Sequence, residues 1–230
     1  MTKYEETFDQ NTGGWWGWLG NEKGYKPLEW KSGTVTSRSP WWIDYNHAPP
    51  GAGYLHMVMC LNTRGPFGEH IKEVAGPNGF VASGCSRNFT NAKMTVRIKG
   101  ELIENGAKLV LLIQMAANDT ISGWLLNGQP FRVTKDWSEQ TIALAPDEKQ
   151  WTCLGGRHDR TDYYVRHSLK EVLRDVNVNI MFILFPLTIA PMGSIDGDPH
   201  ILRPERDYPV WRSKLPEGYV TIDTIQIEFR

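Results

Sequence analysis

The sequence lacks several features that would define a function class at once. Its three cysteines (Cys60, Cys85 and Cys153) are an odd number without CxxC spacing, which argues against a disulfide framework or a thiolate zinc site. No apolar run reaches the roughly 18–20 residues of a membrane-spanning helix. Neither sign of charge is in excess, because 25 Lys and Arg balance 26 Asp and Glu and the net charge is −1. This balance gives no electrostatic support for nucleic acid or an anionic membrane as a partner.

Targeting and cofactor motifs are missing as well. The first residues have neither the basic nor the apolar region of a signal peptide, so we expect a cytoplasmic protein in which the N-x-T sequons at Asn88 and Asn118 have no role. No nucleophile elbow, HExxH, P-loop or dinucleotide fingerprint occurs, and we expect no cofactor. Asp196, Asp198 and His200 offer too few ligands at suitable spacing for calcium or zinc, so we expect no metal.

A heavy aromatic load and many turn-forming residues are present instead. The 230 residues include ten Trp, eight Tyr and eight Phe, together with 22 Gly and 14 Pro. This composition favours many short strands, and no repeat or linker divides the chain. We therefore predict an all-β fold, an antiparallel jelly-roll-like β-sandwich, as a single domain over residues 1–230. The predicted strands cover residues 33–38, 53–61, 93–103, 108–115, 124–126, 131–134, 140–144, 177–185 and 219–229.

Two Asn-Gly pairs are typical of tight turns. Asn105-Gly106 supplies the positive φ angles of a type I′ turn, which predicts a hairpin between the two long strands that precede and follow it. Asn127-Gly128 separates the apolar segments on either side of it in the same way. The first turn therefore predicts that the strands at residues 93–103 and 108–115 are neighbours in one sheet.

The ends of the chain carry two further signals. One short helix is predicted over Ser168–Val176, where Ser168 and Glu171 fit a capping box. A first strand near residues 7–18 is expected to lie beside the closing strand at residues 220–229, which would bring the two termini close together.

Short aromatic motifs occur at the start of the chain and again in its second half. In the first half they are Phe8-Asp9-x5-Trp15-Trp16, Ser37-x-Ser39-Pro40-Trp41-Trp42 and Gly53-Tyr54-Leu55. In the second half they are Trp137-Ser138-x-x-Thr141-x-x-Leu144, Trp151 and Ser168-x3-Val172-Leu173-x2-Val176. Together they resemble jelly-roll modules of the carbohydrate-binding and laminin-domain-IV type. The resemblance implies the sandwich fold, but it implies function less directly because sandwiches host many activities.

Three predicted strands are apolar on both faces, since residues two apart share a face. In residues 53–61, one face carries Leu55, Met57, Met59 and Leu61, which we predict to be core, and the other carries Tyr54, His56, Val58 and Cys60. In residues 108–115, one face carries Leu109, Leu111, Ile113 and Met115, and the other carries Val110, Leu112 and Gln114. In residues 177–185, one face carries Ile180, Phe182 and Leu184, and the other carries Met181, Ile183 and Phe185. Leaving the second face in water would forgo about 25 cal/mol per Å². We therefore predict that a loop, a partner subunit or a ligand covers it.

A roofed apolar face with a few polar groups is typical of a small-molecule site. The residues predicted to bind a small organic or sugar-like ligand are Tyr54, Gln114, Trp41, Trp42, Tyr45 and Trp124. The residues predicted to transfer or assist a proton are His56, His47 and Asp44. The alternative for His56 is a hydrogen-bonded core residue, and for the Trp41-Trp42 pair a plug at the end of the sandwich.

These candidates predict a cofactor-independent acid–base enzyme of the lyase, isomerase or hydrolase type. A non-catalytic carbohydrate-binding module is the first alternative, and it predicts exposed coplanar aromatic side chains. An interaction subunit, including a homo-oligomer, is the second, because a partner would also bury a two-sided apolar strand. No strand is predicted to carry inward Asp or Glu, which argues against a sandwich-type glycanase with a carboxylate pair.

Overall fold

The structure is a computed structural model that describes residues 3–20, 24–44, 54–65, 69–118, 120–154, 167–187, 190–191, 210–211 and 215–230. Its strands are β1 (Lys3–Glu6), β2 (Trp15–Gly20), β3 (Gly24–Lys26), β4 (Glu29–Lys31), β5 (Thr34–Arg38), β6 (Trp42–Asp44), β7 (Tyr54–Asn62), β8 (Lys93–Ile103), β9 (Lys108–Ala117), β10 (Thr120–Leu125), β11 (Ser138–Ala143), β12 (Thr152–Cys153), β13 (Asn179–Leu187), β14 (Ala190–Pro191), β15 (Val210–Trp211) and β16 (Glu217–Glu228). Its helices are α1 (Glu69–Ala75), α2 (Gly79–Ala82) and α3 (Leu169–Arg174), with a 3-10 turn at Glu148–Gln150.

Two antiparallel sheets form the sandwich. The smaller sheet has the order β11-β8-β16-β5-β4, and β1 also pairs with β16. The larger sheet has the order β12-β10-β9-β13-β7-β2-β3, and β6 also pairs with β7. Strands β14 and β15 pair only with each other among the described residues. The predicted all-β sandwich is therefore confirmed. No helix in the described ranges is both long and apolar enough to cross a membrane.

The main core lies between the inner faces of the two sheets. The smaller sheet contributes alternate residues such as Met94, Val96 and Ile98 of β8, and all three are fully buried. Full burial of one such side chain contributes about 1.5–3 kcal/mol. The motifs that resemble jelly-roll modules also supply this core, with Phe8, Trp15, Trp41, Leu144, Trp151, Val172, Leu173 and Val176. Those motif residues therefore specify packing between the sheets.

The predicted hairpin at Asn105-Gly106 is wrong, although its turn is present. Asn105 and Gly106 have φ angles of 48° and 94°, and the Ala107 N–H donates to the Glu104 carbonyl at 3.0 Å. Strand β8 then pairs with β11 and β16, whereas β9 pairs with β10 and β13 in the other sheet. The tight turn therefore carries the chain from one sheet to the other, because each strand buries its apolar face against the opposite sheet.

The second Asn-Gly pair does not join two strands either. The backbone N–H groups of Leu126 and Phe131 donate to Leu111 and Leu109 of β9, at 2.8 Å each. Residues on both sides of the turn thus bind the same neighbouring strand. Phe131 makes an isolated bridge, and residues 131–134 form no strand. The turn at Asn127-Gly128 is therefore present, but the strand predicted at residues 131–134 is wrong.

The structure changes the predictions for the chain ends and helices. The strand beside β16 is β1, with Tyr4 opposite Ile227, whereas β2 lies in the larger sheet. Positive φ angles at Phe8, Gly13 and Gly14 redirect the chain between these two strands. The predicted helix is confirmed as α3, and its capping box forms between Ser168 and Glu171. Helices α1 and α2 were not predicted, because one or two turns leave little periodicity to detect.

A β-bulge at Val58 corrects the predicted faces of β7. Phe182 and Ile183 are adjacent on β13, yet they pair with Met59 and Met57, which leaves Val58 as the extra residue. An extra residue reverses the alternation of side chains. Met59 and Leu61 face the main core as predicted, whereas Leu55 and Met57 lie on the opposite face. His56 pairs with the core residue Leu184 and therefore shares the inner face.

Candidate functional site

The face of the larger sheet that points away from the smaller sheet, here called the outer face, is apolar and buried. The register of β10, β9, β13 and β7 aligns its side chains in rows across the strands. The apolar members are Leu55, Met57, Cys60, Val110, Leu112, Leu125, Ile183 and Phe185, each 7 % exposed or less. Burial also raises the pKa of the Cys60 thiol, so it remains neutral and counts as an apolar group. The predicted two-sided apolar character of β7, β9 and β13 is confirmed.

Described residues supply part of the cover over this face. Ile71 and Ala75 of α1 pack with Met57 and Cys60 in one cluster. Leu154, which follows β12, packs with the neighbouring cluster around Val110 and Ile183. An antiparallel sheet commonly leaves one face in water, so a second buried face needs a reason beyond the fold itself.

Three amide side chains form a row at one end of the outer face. Gln114 of β9 pairs with Asn179 of β13, and Asn179 pairs with Asn62 of β7. Each lies two residues from an outer-face residue of its own strand, which is Leu112, Met181 or Cys60, so all three side chains point to the outer face. They are 4 %, 6 % and 2 % exposed, respectively. This set, here called the amide row, is the polar border of an otherwise apolar surface.

The neighbour of the amide row on β10 is a glycine. Gly123 pairs with Gln114, and a Cβ at Gly123 would lie 3.3 Å from Gln114 Cγ and 3.1 Å from Leu154 Cδ1. The Gln114 side chain therefore lies over the bare backbone of Gly123. Any larger residue there would have to displace Gln114 or Leu154, so the glycine gives the amide its place.

Hydrogen bonds satisfy the amide row only in part. The Trp16 indole N–H donates to Asn62 Oδ1 at 2.9 Å, so the Asn62 oxygen is already engaged. Asn179 Oδ1 is buried and has no hydrogen-bond partner among the described residues. Within the same ranges the Gln114 amide makes no side-chain hydrogen bond, and its residue is 4 % exposed. A buried polar group without a partner costs about 1–3 kcal/mol, so the Asn179 oxygen needs an explanation.

An aromatic group borders the outer face beside β7. Trp16 and Trp18 of β2 lie 5.9 Å apart between ring centroids, and Tyr25 of β3 lies 5.0 and 4.9 Å from them. Trp16 is buried, whereas Trp18 and Tyr25 are half-buried. Sequence reasoning did not select these three residues. The spacing of two between Trp16 and Trp18 on a strand was the signal, because it puts both rings on one face.

His56 lies on the inner face, opposite to Gln114, so the structure does not bring these two predicted site residues together. It is 2 % exposed, and its ring centroid lies 6.0 Å from that of Trp41. Trp41 in turn donates its indole N–H to Ser37 Oγ at 2.9 Å, and Ser37 donates to the Val58 carbonyl at 2.6 Å. These buried bonds satisfy the bulge and link the two sheets, so Trp41 has a packing role in the core.

The other predicted site residues are spread over the structure. Trp124 packs in the main core and donates its indole N–H to the His167 carbonyl at 2.9 Å. The backbones of Trp42 and Asp44 in β6 pair with Met57 and Leu55. The backbone of Tyr54 begins β7. Tyr45 and His47 lie outside the described residues. The ligand-binding and catalytic roles assigned to all of them stay predictions.

Acidic and metal-binding clusters do not stand out in the described part of the chain. It contains no group of three or more His, Cys, Asp or Glu side chains that could hold a metal ion. Asp196, Asp198 and His200 lie outside it. The strands β7, β9, β10 and β13 contain one Lys, Arg, Asp or Glu between them, Lys108. A carboxylate pair on these strands, as glycoside hydrolysis requires, is therefore not present.

A concave feature lies at the edge of the smaller sheet. It is a cleft of about 340 Å³, and its lining includes Glu6, Asp9, Asn11 and Asn78. Glu6 accepts the Phe8 backbone N–H at 3.0 Å, and burial raises the pKa of its carboxyl group. Its groups bond to one another and to the nearby backbone, so we assign this cleft a structural role.

Comparisons with known proteins give little further information. No family model and no curated protein matches the chain. One similar solved structure comes from work on endo-acting O-glycanases with which prominent members of the human gut microbiota initiate mucin breakdown; it is 11% identical, with a TM-score of 0.40 over 97% of each chain. Another is a proposed glycoside hydrolase from Bacteroides vulgatus ATCC 8482, 10% identical with a TM-score of 0.24, covering 87% of this chain and 89% of its own. At these values neither likeness carries an argument about what this chain binds or does.

Proposed function

We propose that the protein binds a small sugar-like organic ligand on the outer face of the larger sheet. The observation that carries this proposal is Asn179 Oδ1, a buried oxygen of the amide row that has no hydrogen-bond partner among the described residues. Buried polar groups in folded proteins are nearly always hydrogen-bonded. A ligand with hydroxyl groups would supply the missing partners.

The composition of the surface supports a ligand of mixed character. The apolar rows next to Gln114 and Asn179 suit the C–H faces of a ring, and the amides suit its hydroxyl groups. Small-molecule sites commonly combine many apolar side chains with a few polar ones that orient the ligand. The aromatic group of Trp16, Trp18 and Tyr25 adds flat apolar surface beside the row, which favours a ring over a linear chain.

Catalysis is a separate step from binding in this proposal. Asp44 and His47 remain the predicted proton-transfer pair, because the backbone of Asp44 pairs with Leu55, a residue of the outer face. His56 is a weaker candidate for this ligand, since its side chain lies on the inner face. Binding without turnover corresponds to the carbohydrate-binding alternative and needs no further residue.

Gln114→Met tests the proposal through binding and stability together. The variant keeps the length of the side chain but removes its polar group, so it should weaken binding about two- to tenfold by losing one hydrogen bond. It should leave the stability of the ligand-free protein within about 1 kcal/mol of the parent, because the Gln114 amide makes no hydrogen bond within the described chain that the substitution could remove. Titration calorimetry against a panel of neutral mono- and disaccharides measures the first effect, and urea unfolding measures the second.

Gln140→Met is the matched control. The Gln140 amide accepts the Arg132 N–H at 2.8 Å and donates to the Arg132 carbonyl at 2.7 Å, so it is satisfied within the chain. The same substitution should therefore destabilise the protein and leave binding unchanged. If Gln114→Met behaves like Gln140→Met, the amide row serves the fold and the proposed ligand site is wrong.

A further inference from the structure

We infer that the amide row selects a neutral ring whose equatorial hydroxyl groups stand on alternate carbons. This inference rests on the proposed function and specifies its ligand. It follows from the order of donors and acceptors along the row, from the spacing of the strands and from the near absence of charged residues on the four strands β7, β9, β10 and β13.

The donors and acceptors alternate across the three strands. Asn62 offers amide N–H groups, because its oxygen already accepts from Trp16. Asn179 offers its unpartnered oxygen in the middle of the row. Gln114 has a complete amide, with one oxygen and two N–H groups. A hydroxyl group between Asn62 and Asn179 can accept from the Asn62 N–H and donate to Asn179 Oδ1. A hydroxyl group between Asn179 and Gln114 can accept from the Gln114 N–H and donate to the same Asn179 oxygen.

The strands set the distance between those two hydroxyl groups. Neighbouring strands lie about 4.8 Å apart, so two oxygens that each bridge one gap are also about 4.8 Å apart. Equatorial hydroxyls on alternate carbons of a six-membered ring have this separation. Equatorial hydroxyls on adjacent carbons are considerably closer, and such a pair could bridge only one gap.

The charged residues on the four strands indicate whether a neutral or an acidic ring would bind. The only Lys, Arg, Asp or Glu on the four strands β7, β9, β10 and β13 is Lys108, at the end of β9 opposite to Gln114. Lys108 is paired with Glu104. Burying a carboxylate, sulfate or phosphate beside the amide row without a counter-charge would cost far more than its hydrogen bonds return. The surface therefore fits an uncharged ligand.

Two isomeric diols provide the test. Both cis-1,3-cyclohexanediol and trans-1,2-cyclohexanediol have the same atoms and can hold both hydroxyls equatorial, but they differ in hydroxyl spacing. Titrations followed by protein NMR should show the 1,3-isomer binding about two- to tenfold more tightly, the value of one additional hydrogen bond. The dianion of cis-cyclohexane-1,3-dicarboxylic acid, which has the same geometry with charge, should not bind.

The variant Asn179→Leu tests whether the amide row causes the preference for the 1,3-diol over the 1,2-diol. Asn179 Oδ1 serves both bridging positions, so its loss should reduce the ratio of the two affinities to near one. Asn91→Leu, at an exposed turn, is the control and should leave the ratio unchanged. Equal affinities in the parent protein, or a preference for the 1,2-isomer, would overturn this inference while Gln114-dependent sugar binding still supported the proposed function. If Gln114→Met binds sugars and diols as tightly as the parent protein does, the proposed function is overturned as well.

Discussion

The outer faces of the two sheets differ in nearly every respect, although both belong to the same sandwich. On the smaller sheet, Thr95 and Thr141 share a hydrogen bond of 2.8 Å on an exposed surface, and Arg97 pairs with Asp223 at 2.6 Å. Trp137 there lies under Arg97 and Lys99, at 4.7 and 4.6 Å from its ring centroid. The outer face of the larger sheet has none of this exposed polar pairing among its described central strands, and its polar residues are buried amides.

This difference separates what the fold requires from what it does not. A β-sandwich is stable when the two inner faces pack together, and the smaller sheet meets that requirement with a wet outer face. The larger sheet buries its outer face in addition, and it places Asn179 Oδ1 there without a hydrogen-bond partner in the described chain. Polar groups placed at a cost to stability are typical of functional sites.

The largest expected effect comes from placing a charge on each outer face. Ile183→Lys puts an ammonium group into the buried apolar surface and should lower the free energy of unfolding by about 3–5 kcal/mol. Thr141→Lys, on the exposed outer face of the smaller sheet, should change it by less than about 1 kcal/mol. Urea unfolding followed by circular dichroism gives both values. Equal tolerance of the two lysines would mean that the faces do not differ as described.

A smaller effect distinguishes the two sides of the smaller sheet. Ser37→Ala removes the donor to the Val58 carbonyl and the acceptor for Trp41, so it should cost about 1–3 kcal/mol. Thr141→Val removes an exposed hydroxyl that pairs with Thr95, and water can replace that bond. Its cost should stay below about 1 kcal/mol in the same unfolding assay. Similar costs for both variants would contradict a buried link between the sheets.

The smallest expected effect depends on pH and concerns Glu6, the last residue of β1. Burial raises the pKa of its carboxyl group, so the folded state retains the proton at a pH where the unfolded chain has lost it. Stability from this group is therefore present at low pH and is lost as the pH rises through the raised pKa. Glu6→Gln should match the parent below pH 4.5 and exceed it at pH 7 by less than about 1 kcal/mol, since the group is partly solvated.

An advantage of Glu6→Gln that is already full at pH 4 would contradict the assigned cause, because both states of the parent carry the protonated group there.

Much of the fold could be predicted because apolar alternation is local. The spacing of Leu109, Leu111 and Ile113 defines a strand and its inner face without knowledge of its neighbours. Strand pairing is not local, and Asn105-Gly106 shows the limit. The turn formed as its residues require, but the partners of the strands were decided by which sheet could bury each face.

The candidate site was predicted only in outline for the same reason. The two-sided apolar strands and Gln114 followed from alternation. The position of His56 did not, because a single extra residue at Val58 reverses the faces of β7 and leaves no mark in the sequence pattern. Asn62 and Asn179 were also missed. Asn62 lies just beyond the strand predicted at residues 53–61, Asn179 lies near the start of the strand predicted at residues 177–185, and only the register of the strands aligns them with Gln114.

The passage of the chain through Asn105-Gly106 also bears on how the protein reaches its native state. The ladder between β8 and β16 joins residues such as Ile98 and Ile222, so it cannot form until the residues of β16 have left the ribosome. Before that, β8 can pair with β11 along one edge, while its other edge remains unpaired. Topologies dominated by such distant pairings fold slowly and expose unpaired strand edges on the way. We therefore expect a protein that refolds slowly and benefits from chaperones during synthesis.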